Sequence, residues 1–125
     1  MSLEKRFEDI ESIQFAIAVG IMSGFKVLLS MLDDHEMIQA LVSELRHSAE
    51  NRQKTLQRLL TLLADNPNPQ YSHQHEEALI GYLYALNLTD PELAHDAIKP
   101  ILNTSNLFYL KRLAQHIQAA QTQTP

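Results

Sequence analysis

Two Glu-x-x-His motifs carry the sequence's strongest suggestion of chemistry: Glu44-Leu45-Arg46-His47 and Glu92-Leu93-Ala94-His95. A glutamate and a histidine one turn apart share a helix face. Two such motifs on facing helices, with single glutamates from two more, are how four-helix carboxylate proteins hold a pair of iron ions. Glu11 and Glu76 are nominally available as the single glutamates. Helical periodicity speaks against this use. The apolar stripe Ile38, Leu41, Val42, Leu45 centres about 110° from Glu44 and about 170° from His47, at about 100° per residue. Glu92 and His95 lie opposite Leu93, Ala94, Ala97 and Ile101 in the same way. Ligands meant to point into a bundle would point into water, and the expectation is a protein with no metal and no cofactor.

Other clusters have plainer readings. His73-Gln74-His75-Glu76-Glu77 gathers metal-ligand types, but consecutive positions at a helix start diverge, so an exposed first turn explains them better. Asp33-Asp34-His35-Glu36 reads as a helix cap, Asp33 as N-cap with Glu36 as its N3 partner. The sequence has no Gly-x-Ser-x-Gly elbow, no glycine-rich phosphate loop and no cysteine, which removes thiol nucleophiles, disulfides and thiolate metal sites. Tyr82, Tyr84, Phe108 and Tyr109 are candidates to line a pocket between the third and fifth helices; the competing reading is that they fill the ends of a core.

The elements that would position these residues are all helical, because no stretch alternates long enough to seed a sheet. A first helix is expected over 3–32, apolar nearly all round, which would place it centrally or at an interface between copies. Gly20, Ser23 and Gly24 on it would admit a second backbone closely. A second helix is expected over 34–64. Its seam of Ile38, Val42, Leu45, Ala49, Leu56, Leu59 and Leu63 steps by four and three, with Arg52 in the remaining seam position. The apolar-poor stretch from His47 to Asn51 is its soft point, and a break there is the alternative. Asp65 to Gln70, with two prolines and two asparagines, is a loop. Three shorter helices follow. One is capped by Ser72 with a stripe of Leu79, Ile80, Leu83 and Leu86; one starts at Asp90-Pro91 and is disturbed at Pro100; one carries Leu107, Leu110, Leu113, Ala114 and Ile117. The expected architecture is thus an all-α five-helix bundle. A long N-terminal hairpin, 3–32 and 34–64, is crossed by three shorter helices, forming one domain over 1–118 with a polar, frayed tail at 119–125.

The chain has 125 residues, 45% of them hydrophobic, and a net charge of −5, which suits one folded domain and disfavours nucleic acid as a partner. The basic stretch Arg46, Arg52, Lys54, Arg58 is interleaved with Glu44 and Glu50, as on a solvated face. The apolar run from Ile13 to Leu32 approaches the length of a membrane span. Lys26 lies inside it, acidic residues flank it on both sides and no secretory pattern precedes it, so a buried helix is the better reading and the cytoplasm the expected location. What remains is surplus apolar surface on the first two helices. It points to a non-catalytic helical protein–protein interaction or adaptor module that self-associates as a homodimer, with an unidentified protein partner. Gly20, Ser23, Gly24 and Arg52 are its candidate interface residues. The competing expectation is a small-ligand or metal-binding helical protein or enzyme with a site between helices.

Overall fold

The structure, a computed structural model, describes residues 3–12, 25–65, 72–103 and 107–122. Among these residues it contains seven helices and no strand: α1 (Leu3–Ser12), α2 (Phe25–Asp34), α3 (Glu36–Arg46), α4 (Ala49–Ala64), α5 (Ser72–Thr89), α6 (Pro91–Leu102) and α7 (Phe108–Thr122). The described residues are all-α as expected, but not as five helices built on a long hairpin, since the expected second helix is interrupted.

The second expected helix is two helices. His47 ends α3, its N–H on the Leu45 carbonyl, and Ser48 turns to an extended backbone at φ −146°, ψ 108°. The Ser48 hydroxyl then accepts the Asn51 N–H at 3.1 Å, a side-chain N-cap that starts α4. Side chains of α4 reach back to the last carbonyls of α3: Asn51 Nδ2 donates to Glu44 O at 3.3 Å, and Arg52 Nη1 adds a further bond to Leu45 O at 2.8 Å. The soft point from His47 to Asn51 is therefore a capped corner. The cap of α3 also differs from expectation. His35, not Asp33, is the N-cap, its Nδ1 accepting the Met37 N–H at 3.2 Å, while Asp33 lies in the last turn of α2.

The centre of the fold is α5, which packs against α1, α3, α4, α6 and α7. From Glu76 to Leu86 every side of it is covered, Tyr84 alone being half-buried. The expected stripe of Leu79, Ile80, Leu83 and Leu86 is only part of this surface. Ala78, Gly81 and Ala85 are buried between them and let neighbouring helices approach on the remaining sides. The first expected helix is displaced from the central role in its described part. On α2, Lys26, Val27 and Ser30 are exposed, while Leu28 and Leu32 are buried and the helix packs mainly on α3. Its stretch 13–24 lies outside the described residues.

Ser72, expected as a cap, is the first helical residue of α5, while the start of α6 and the buried stripe of α7 are as expected. Asp90 Oδ1 accepts the Leu93 N–H at 3.3 Å and Pro91 takes the first helical position of α6. Pro100 stays inside α6, which continues to Leu102. Leu107, Leu110, Leu113, Ala114 and Ile117 are all buried, and α7 runs on to Thr122, past the start of the expected tail at 119.

Candidate functional site

The densest polar cluster joins three helices: Glu11 of α1, Arg58 of α4 and Tyr82 of α5. Arg58 grips the Glu11 carboxylate with both edges of its guanidinium, Nε to Oε2 at 2.9 Å and Nη2 to Oε1 at 2.5 Å. The Tyr82 hydroxyl, on a side chain with no solvent exposure, bonds the same Oε2 and lies 3.3 Å from the Phe7 carbonyl. The Phe7 ring meets the Tyr82 ring edge-on at a centroid distance of 5.4 Å. Burial pushes the Tyr82 phenol far above its ordinary range, and the hydrogen bond and charge of Glu11 push further, with Arg58 opposing. The Arg58 guanidinium is raised chiefly by its hydrogen bond to Glu11. Tyr82 is thus held as a neutral donor. In this arrangement the carboxylate is occupied by donors on both oxygens, and the chemistry of the cluster is attachment: it fastens α1 to α4 and α5.

Glu11 and Glu76, the nominal single glutamates, are both committed elsewhere. Glu76 is 4% exposed, and its Oε2 accepts the N–H groups of Tyr109 at 2.7 Å and Leu110 at 2.9 Å. Of the Glu-x-x-His residues, Glu44 faces Arg6 of α1 at 3.8 Å, His47 ends α3, and Glu92 and His95 are exposed on α6. Among the described residues no three histidine, aspartate or glutamate side chains gather as a metal site. The side chains of His73 and His75 lie outside the described residues, as do Gly20, Ser23 and Gly24.

The fourth interface candidate, Arg52, is half-buried and engaged within the chain. Besides Leu45 O it approaches Asp90 Oδ2 through Nε at 3.3 Å, a charge contact without hydrogen-bond alignment, so it ties the end of α3 to the cap of α6. The aromatic candidates face different partners. Tyr82 looks to α1 and α4. The Tyr84 hydroxyl lies 3.3 Å from Asp33 Oδ1 at the end of α2. Tyr109 is half-buried at the start of α7, and the side chain of Phe108 is outside the described residues. Burial first, then the charge of Asp33, pushes the Tyr84 phenol up to about 12.

Two further features were not read from the sequence. A groove of about 340 Å³ opens between α6 and α7, lined by His95, Ile98, Lys99, Leu102, Asn103 and Gln118. The other is the exposed face of α2, where Val27 is 37% exposed and Leu29 and Met31 are half-buried. Among the described residues no helix is long and apolar enough to cross a membrane. Comparison with family models, with curated proteins and with solved structures found no match to this chain.

Proposed function

We propose that this chain is a non-catalytic helical protein–protein interaction module that self-associates as a homodimer. The supporting observation is the surface of α2. Among the described residues this helix packs mainly on α3; Val27 is exposed and Leu29 and Met31 are only partly covered. The seam on α3 and α4 does not add to this surplus, since Ile38, Leu41, Val42, Leu45, Leu56 and Leu59 are buried within the chain. Val27, with the partly covered Met31 one turn on, is the apolar surface such a pairing would cover, and a twofold pair is the commonest form of self-association.

Analytical ultracentrifugation over micromolar concentrations tests this. The expected result is a mass rising from 14.2 kDa towards twice that value with concentration, and a shift back to monomer in Val27→Asp. A mass of 14.2 kDa at every concentration overturns it.

The groove between α6 and α7 supports a second reading, a small-ligand site. Its volume of about 340 Å³ is at the lower end of the range for such sites, and Ile98 and Leu102 give its lining an apolar part. A thermal-shift screen that raises the melting temperature of the wild type but not of Ile98→Glu or Lys99→Glu would favour it; no stabilising compound would remove it.

A further inference from the structure

We infer that two copies of this chain meet through antiparallel α2 helices, with Val27, Ser30 and Met31 along the seam and Lys26 of each copy against the Asp33–Asp34 end of the other. The inference rests on the self-association proposed above and specifies its surface. On α2 the exposed positions Lys26, Val27, Ser30, Asp33 and Asp34 fall within one arc of about 120°, opposite buried Leu28 and Leu32. Val27, Ser30, Met31 and Asp34 follow the i, i+3, i+4, i+7 spacing of a single contact stripe. Lys26 and Asp33 sit two turns apart along one flank of that stripe.

The order of these residues is self-complementary. A cation stands at one end, a small hydroxyl residue in the middle and two carboxylates at the other end. An antiparallel second copy centred between Ser30 and Met31 sets each Ser30 against the partner's Met31 and each Val27 across from the partner's Asp34. Residues on one flank of a helix meet the same flank of an antiparallel twofold partner. Lys26 therefore meets Asp33 and Asp34 twice, once at each end. A parallel copy would put the Lys26 and Asp33 flanks of the two helices on opposite sides of the seam, where neither meets an opposite charge of the partner. Among the described residues neither Lys26 nor Asp34 has an ion-pair partner within the chain, while Asp33 accepts the Tyr84 hydroxyl at 3.3 Å and keeps its second oxygen for a cation. Ser30, exposed at the centre, brings no bulk to the crossing.

Charge reversal tests the register. Two variants are made, Lys26→Glu and the double variant Asp33→Lys/Asp34→Lys, with far-ultraviolet circular dichroism as the check on folding. Each alone should dimerise roughly tenfold or more weakly than wild type by ultracentrifugation, because both ends of the interface become repulsive. Mixed in equal amounts, they should recover association as a heterodimer, since every contact is again between opposite charges. Folded variants that dimerise as well as wild type, or a mixture that stays monomeric, overturn the register while leaving self-association in place. A wild type that is monomeric at every concentration overturns both.

Discussion

Glu76 and Leu110 lie 34 positions apart, yet the Glu76 carboxylate accepts the Leu110 N–H at 2.9 Å and, through the same oxygen, that of Tyr109 at 2.7 Å. The residue before α7 is Leu107, which has no side-chain acceptor, so the open N–H groups of the first turn are satisfied from α5 instead. The negative carboxylate also suits the positive end of the helix.

Glu76→Ala should therefore cost about 1–3 kcal/mol, combining a lost cap with buried N–H groups left unpaired. Glu76→Gln keeps an acceptor and should cost less. Urea denaturation of the three proteins measures both; equal stability of Glu76→Ala and wild type would contradict the capping role.

Arg58→Ala should weaken the docking of α1 by about 1 kcal/mol, a modest figure because the Arg58 side chain is 40% exposed and screened. Tyr82→Phe removes the second donor to the Glu11 carboxylate. A double-mutant cycle should give a non-zero coupling between the two, and amide exchange should quicken selectively in α1.

Alkaline titration should separate the tyrosines. Burial raises both Tyr82 and Tyr84, the latter to about 12, against an ordinary value near 10 for the unfolded chain. The folded state thus binds protons that the unfolded state has released. Stability from these groups is complete below about pH 10 and declines as pH rises from there through the folded values. Phenolate absorbance at high pH should show late ionisation that disappears in Tyr82→Phe and Tyr84→Phe, and each variant should flatten the decline in stability above pH 10.

At the corner between α3 and α4, Ser48→Ala should cost about 1 kcal/mol through loss of the N-cap. Arg52→Met should cost about 1–2 kcal/mol, since it leaves the Leu45 carbonyl and the Asp90 carboxylate without their cation. Thermal unfolding measures each, and an unchanged melting temperature for Arg52→Met would show that the corner is held by Ser48 and Asn51 alone.

What could be read from the sequence was local. Asp90-Pro91 declares a helix start because its cap acts within three residues, and the buried stripe of α7 follows from spacing alone. The contacts that position the polar groups were not legible, because they join distant parts of the chain: Glu11 to Arg58 spans 47 positions and Glu11 to Tyr82 spans 71. The break at Ser48 was visible only as an alternative. A seam that keeps its period across a corner reads as one helix, and Ser48 becomes a cap only because Asn51 and Arg52 can reach back to the carbonyls of Glu44 and Leu45. An apolar run nearly all round the first helix points to a central place or an interface between copies. That run is less evenly distributed in α2, where polar Lys26, Ser30, Asp33 and Asp34 keep one side open, than in α5, where no charged residue interrupts the stretch from Ala78 to Leu86.

The position of α5 in the chain sets an order of assembly. During synthesis α1 to α4 emerge first, carrying Ile10, Ile38, Leu41, Leu45 and Leu59, all of which are buried in the finished fold. The helix that α1, α3 and α4 all pack against begins only at Ser72. At about 5–20 residues per second, the stretch from Ala64 to Thr89 takes roughly one to five seconds to appear. For that interval the faces of α1, α3 and α4 that will meet α5 have no cover from it. A fragment ending at Asp65 should accordingly fail to form a cooperative unit, and the newborn chain should bind a chaperone that recognises apolar segments until α5 is complete.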